Sequence, residues 1–174
     1  AVLRLSSSVP VIGICEGFQM MGLSLSDPGC VEPGDGAAGL QPGLGLLNAI
    51  TEFTGQKTTT KTTGVIIGSS PLLPVSSRAT GYEIHTGVTT LLPGALPLFS
   101  IESREGFDTS KTTWDGAVNQ SGLILGTYLH GLFDNAAVLS SFVSALRSMK
   151  GIAAPDVVER SRDKAYDRLA DMVR

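Results

Sequence analysis

The chain has 174 residues, a net charge of −3 and two cysteines, Cys15 and Cys30. That length carries one domain with a real core. The weak negative charge, with no basic patch or charge run, speaks against nucleic acid or an anionic membrane surface as partner. Two cysteines make no disulfide framework, so a reducing cytoplasm is the natural setting. No apolar run reaches the length of a membrane span, and no signal peptide is visible.

Residues 1–8 read as the tail of a helix with a serine linker. Residues 9–25, VPVIGICEGFQMMGLSL, open with a short apolar run at 11–14, a buried strand. The period then changes: Phe18, Met21, Gly22 and Leu25 recur at helical spacing and predict a helix over 16–25. Residues 27–45, dense in Gly and Pro, are loop, and Cys30 within it is an unremarkable or half-buried thiol. The run TGQKTTTKTTG at 54–64 fails the phosphate-loop spacing, because no Gly stands directly before Lys57 with another five residues earlier. It reads instead as a solvent-facing edge strand protected by Lys57 and Lys61.

A strand end and turn follow at 65–74. GYEIHTGV, residues 81–88, alternates with period two, so Tyr82 and Ile84 share one face and Glu83 and His85 the other. That second pair is either a polar couple in a cleft or a solvated strand face. Residues 96–101 and 114–118 look like paired strands around a polar loop, with Asp115-Gly116 a turn signal. Residues 123–129 form a buried strand that ends at His130. Asp134 then caps a helix over 135–149 with the apolar stripe Val138, Leu139, Phe142, Val143 and Leu146. Pro155 and Asp156 open a last, charged helix that packs on the outside through Val158, Ala165, Leu169 and Met172.

The chemistry gathers at two strand ends. Strand, sharp turn and helix lift a nucleophile above a parallel sheet, and Gly13-Ile14-Cys15-Glu16-Gly17 is the cysteine counterpart of the G-x-S-x-G elbow. The flanking glycines leave room for a tight, strained turn. The helix N-terminus favours a thiolate at Cys15, and the backbone N–H of Glu16 faces a developing oxyanion. Of the two histidines, His130 is the better placed partner, at a strand end beside Gly131. A Cys–His pair performs acyl transfer: the imidazole keeps the thiol ionised and then protonates the leaving amine. No Cys/His cluster has metal-ligand spacing. A buried structural cysteine and a structural histidine are the bland alternatives.

Gly13-Ile14-Cys15-Glu16-Gly17-Phe18-Gln19-Met20-Met21-Gly22 resembles the nucleophile motif of the class I, triad-type glutamine amidotransferases. Asp27-Pro28, Gly43-Leu44-Gly45-Leu46-Leu47, Gly81-Tyr82-Glu83-Ile84-His85 and Gly126-Thr127-Tyr128-Leu129-His130-Gly131-Leu132-Phe133-Asp134 are similar to the amidotransferase domains of the cobyric acid synthases. The resemblance runs almost from end to end. It implies an α/β, three-layer, flavodoxin-like fold with a mixed, mostly parallel sheet. It also implies that residues 1–174 are one partial amidotransferase domain, truncated at its N-terminus. The early strands, the Gly-rich loop carrying the second oxyanion donor, and a separate synthetase domain would be absent, in keeping with the lack of an initiator Met.

By the same resemblance, Cys15 attacks the side-chain amide of glutamine to give a thioester and ammonia. His130 is the general acid/base, the Glu16 N–H serves the oxyanion, and Gln19 helps hold the substrate. No cofactor is expected in this domain; ATP and Mg belong to the synthetase domain, which would amidate corrin carboxylates in cobalamin biosynthesis. Two positions depart from the wider superfamily. Leu132 stands two residues after His130, where most class I enzymes carry Glu, so the group that orients His130 is open. Glu16 follows the nucleophile where this branch usually has Gly, and a carboxylate that approaches a thiolate raises its pKa. Glu83 and His85 match a family segment without an assigned role. The competing readings are a related Cys–His amidotransferase with another acceptor, such as cobyrinic acid a,c-diamide or a cell-wall precursor, and a catalytically silent interaction module.

Overall fold

The computed structural model describes residues 9–31, 39–106, 114–153 and residue 171. The expected linker at 1–8 lies outside them, as do part of the loop before residue 114 and the expected closing helix apart from Asp171.

The apolar run Val11–Ile14 forms β1, parallel to β8 (Ile124–Thr127), with Ile14 opposite Thr127. Helix α1 follows at Glu16–Met21. It stops well short of residue 25, because the Leu23 N–H donates to the Ala49 carbonyl and draws the chain into strand β2, Ser24–Asp27. Strand β2 pairs with β3, Gly39–Pro42, so the expected loop holds a strand of its own. Cys30 is exposed.

Strands β4 (Ala49–Ile66) and β5 (Arg78–Leu91) form a long antiparallel pair with a bulge between Phe53 and Thr58. β5 lies along one margin of β4, while β2 and β6 (Leu96–Arg104) take up the two ends of the other, at residues 50–52 and 62–66. The middle of the threonine-rich run, around exposed Lys57, therefore has a ladder partner on the β5 margin alone among the described residues, as an edge does, and only the end of the run at 62–64 is flanked on both sides. Before the run, Thr51 finds a cross-strand partner in Thr89 at 2.7 Å. Lys61 pairs with Glu105 at the surface. Strands β6 and β7 (Trp114–Val118) pair as expected, but Asp115 sits buried inside β7 and is no turn.

The buried run expected to reach His130 is broken at Tyr128. Strand β8 ends at Thr127, and the two-residue strand β9, Leu129–His130, leaves it to pair with β5, Tyr82 opposite His130. Gly81 allows this junction: a Cβ there would run into the His130 carbonyl oxygen. A 3-10 turn (Leu132–Asp134) leads into α2, Ala136–Met149. Its N-cap is Asn135, not Asp134. The Asn135 amide instead ties Gly131, Leu132 and both backbone groups of Thr80 together, at 2.9 to 3.2 Å. The buried stripe of α2 is also turned from expectation: Val138 is fully buried and Phe142, Ala145 and Leu146 pack on the core, whereas Leu139 and Val143 face outward.

Among the described residues the sheet has nine strands in the order β1-β8-β7-β6-β4-β2-β3, with β5 beside β4 and β9. The sheet is mixed, as expected, but parallel pairing is confined to β1–β8 and β2–β4; the other pairings are antiparallel. Alternate residues divide between two cores. Ala117, Ile124 and Tyr128 face α1 with Phe18 and Met21, while Val118, Leu125 and Leu129 face the other way, with Val138 of α2. A helix on each face of a mixed sheet is the three-layer α/β, flavodoxin-like arrangement. Among the described residues no helix is long and apolar enough to cross a membrane.

Candidate functional site

Cys15 lies between β1 and α1 with φ 57° and ψ −117°, a left-handed backbone that a side chain adopts only under strain of about 1–3 kcal/mol. The turn is held on both sides. The Cys15 N–H donates to the Thr127 carbonyl at 3.0 Å, and the Cys15 carbonyl accepts from Phe18 and Gln19 in α1. Of the two glycines read as making room for the turn, Gly13 carries the steric load. A Cβ at Gly13 would collide with Met21 and with the backbone of Gly17, whereas one at Gly17 would meet nothing. The sulfur is buried, 5% exposed, and its thiol donates to the Ile84 carbonyl at 3.2 Å.

That contact brings the two sequence-predicted residues to one strand. Cys15 meets β5 at Ile84, and His130 pairs with β5 at Tyr82, two residues earlier. Among the described residues the buried His130 Nε2 atom has no hydrogen-bond partner. Glu16 stands close to both. A hydrogen bond from its own backbone N–H, a second with the Cys15 side chain and the nearby His130 charge hold the Glu16 carboxyl below its usual range, against a small cost of burial.

Gln19 is 2% exposed and forms part of the floor beneath this site. Its amide donates to the Tyr128 hydroxyl at 3.2 Å, and that hydroxyl shares a hydrogen bond with Thr89 at 2.6 Å, which continues to Thr51. His85 stacks on Tyr128 with ring centroids 3.8 Å apart and closes a 2.6 Å hydrogen bond between its Nδ1 and the Gly87 carbonyl. Burial pushes the His85 imidazole below its ordinary pKa, against the pull of the Gly87 carbonyl and the Glu83 carboxylate.

The Glu83–His85 face is turned inward and is not a solvated strand face, though the two side chains take different partners. Glu83 is 2% exposed and makes a two-pronged ion pair with Arg104 at 2.7 and 2.9 Å; Tyr82 and Ile84 take the solvent side. Beside the pair, buried Asp115 accepts from the Thr127 hydroxyl and, at 3.2 Å, from the Tyr128 N–H. The Thr127 hydroxyl accepts in turn from the Leu129 N–H at 3.0 Å.

Asp115, Thr127, Tyr128 and Arg104 were not singled out as site residues. Asp115 read as a turn because Asp-Gly usually is one, and nothing local reports that Arg104 completes Glu83. No group of three or more metal-ligating side chains occurs among the described residues. A cavity of about 370 Å³, lined by Leu23, Leu47, Pro93 and Val118 among others, opens at the far ends of β6 and β7; neither Cys15 nor His130 lines it.

Residues 2–138 match the CobB/CobQ-like glutamine amidotransferase domain. The chain is 41% identical over 172 residues to a cobyric acid synthase of Citrobacter koseri, covering 95% of this chain and 32% of that one. It is 39% identical to one of Klebsiella pneumoniae subsp. pneumoniae over the same shares. It is 37% identical over 183 residues to one of Pelotomaculum thermopropionicum, covering 97% and 33%. The chain therefore spans about a third of the length of the curated relatives it matches.

Proposed function

The chain belongs to the CobB/CobQ-like glutamine amidotransferase domain family, and from that premise we propose that it hydrolyses the side-chain amide of glutamine through a thioester on Cys15 and delivers the ammonia to an amidation reaction. The observation that carries the proposal is the strained backbone of Cys15 at the head of α1, with the His130 Nε2 atom buried and without a hydrogen-bond partner among the described residues. Strain of this kind persists where the surroundings over-determine it, as at a nucleophile held up to its substrate.

In the proposed reaction the Cys15 sulfur, its proton passed to His130, attacks the amide carbon. The Glu16 N–H receives the developing oxyanion. His130 returns the proton to the departing nitrogen, and ammonia leaves. Water, deprotonated by His130, then cleaves the thioester to glutamate and free thiol. Gln19 acts on the bound glutamine through the floor it forms with Tyr128.

Residues 1–174 serve, on this proposal, as the ammonia-supplying unit of a larger amide-forming ligase. The remaining two thirds of such a protein would supply ATP-dependent activation of the acceptor, with ATP and Mg bound there. Similarity to relatives called cobyric acid synthase favours corrin carboxylates as the acceptor, and a cytoplasmic setting follows from that chemistry.

The test is intact-mass labelling with a glutamine-mimicking electrophile on the wild type and on Cys15→Ser. A single adduct on the wild type alone supports the proposal. No adduct on a demonstrably folded wild type, or an adduct that survives Cys15→Ser, overturns it.

A further inference from the structure

Leu132 occupies the position where a carboxylate would hold the imidazole of His130, and that side chain is buried in the core. The placement of His130 has to come from its backbone, and three contacts define that backbone. On the C-terminal side the Asn135 amide holds the Gly131 and Leu132 carbonyls. Laterally, β9 pairs with Tyr82 and Glu83. On the N-terminal side the chain departs from β8 at Thr127 and Tyr128, and there the Thr127 hydroxyl and the Tyr128 N–H converge on one buried carboxylate. Asp115 accepts from the Thr127 hydroxyl and the Tyr128 N–H, and the Thr127 hydroxyl receives the Leu129 N–H. Thr127 also reaches the nucleophile, since its carbonyl accepts the Cys15 N–H at 3.0 Å.

Thr127 therefore touches the backbone of the nucleophile and of Leu129, the residue just before His130: its carbonyl holds the cysteine turn, and its hydroxyl shapes the step into β9. We propose that Asp115 and Thr127 are positioning residues that set the His130 imidazole relative to Cys15, in place of a carboxylate bonded to the ring. Asp115 acts through Thr127 and touches neither substrate nor ring. The arrangement fits a buried acid that has Arg104 and Glu83 as its charged neighbours but makes its hydrogen bonds to the segment before His130. This inference deepens the proposed glutaminase and rests on it for its kinetic consequence, though the placement of His130 is measurable without turnover.

The experiment uses the 174-residue chain carrying Thr127→Val, Thr127→Ser or Asp115→Asn. Valine keeps the volume of threonine and loses the hydroxyl; serine keeps the hydroxyl. Two readouts are taken. The first is kcat and KM for glutamine hydrolysis. The second is the imidazole region of the NMR spectrum, which holds signals from only two histidines.

For Thr127→Val the expected result is a kcat lowered about tenfold to a hundredfold, the size that small misplacements produce, with KM within about twofold. Thr127→Ser restores most of the loss. In both Thr127→Val and Asp115→Asn the His130 signals shift while those of His85 stay. Wild-type kcat with unmoved His130 signals overturns the inference. So does a loss that serine fails to rescue while His130 stays where it was, which marks a merely structural role. If the wild type hydrolyses no glutamine and takes no label at Cys15, the glutaminase reading fails, and the His130 signals alone decide the placement.

Discussion

The Cys15 thiol donates its hydrogen bond to the Ile84 carbonyl at 3.2 Å, while the buried Nε2 atom of His130 has no hydrogen-bond partner among the described residues. The thiol in this state rests on β5, the strand with which His130 pairs from β9, and engaging His130 requires the sulfur to leave Ile84. Of the two imidazoles, His85 is occupied on both sides, by Gly87 at its Nδ1 and by Tyr128 against its face. His130→Ala should lower glutamine hydrolysis by about a hundred- to ten-thousandfold, the range of a positioned general base. His85→Ala should leave kcat within about tenfold. Ammonia release at saturating glutamine separates the two; equal losses would remove His130 from its role.

Glu16 offers a second test. Its carboxyl is held below its usual range by its backbone, by the Cys15 side chain and by His130, which places it beside the nucleophile. Glu16→Gln keeps the size and removes the charge. Without a negative charge beside it the thiolate forms more readily, so the pH profile of Cys15 alkylation should move to lower pH. Labelling by a glutamine-mimicking electrophile near pH 7 should speed up by about threefold to tenfold. A profile that does not move would mean that the carboxylate and the thiol are uncoupled.

Tyr128 links the site to the body of the domain. Its ring lies between Phe18 and His85, and its hydroxyl joins Gln19 to Thr89. Tyr128→Phe preserves the ring packing but leaves the buried Gln19 amide and the Thr89 hydroxyl each short of a partner. The unmade hydrogen bonds should cost about 1–3 kcal/mol. Urea unfolding reads this as a lower midpoint with an unchanged slope.

The elbow was legible because three local signals coincide at one place: the Gly13–Cys15–Gly17 spacing, the apolar run before it and the change of period after it. The period-two alternation of residues 82–85 was equally legible, since it depends only on the pleat. What that alternation could not report was which face is buried. Glu83 is inside because Arg104, more than twenty positions away, makes a buried carboxylate tolerable. The threonine run was legible as a polar strand with an open margin, and only the register with β6 shows that its last residues, 62–64, are flanked on both sides. The ends of α1 and β8 were missed because both are decided by long-range backbone pairing, Leu23 with Ala49 and His130 with Tyr82, against locally continuous apolar runs.

Asp115 makes stability depend on pH in a direction opposite to the usual one for an acid. Burial pushes its carboxyl from 3.8 up to about 6. The Thr127 hydroxyl, the Tyr128 N–H and the Arg104 charge pull it back, and the Glu83 carboxylate adds to the rise. The folded state thus binds the Asp115 proton more tightly than the unfolded chain does. This contribution is fully favourable below about pH 4 and is lost as pH rises through about 6. A shift of that size corresponds to about 3 kcal/mol, at about 1.4 kcal/mol per pH unit. Asp115→Asn removes the titration and leaves an amide able to accept one of the two hydrogen bonds. Relative to the wild type, the variant should therefore be least stable near pH 4 and should regain up to about 3 kcal/mol by pH 7. Urea unfolding of both proteins across that range gives the difference directly, with contributions from carboxylates uncoupled to Asp115 cancelling between them. A difference that stays flat from pH 4 to 7 would show that Asp115 does not titrate there. Its grip on Thr127 would then be that of an ionised carboxylate throughout.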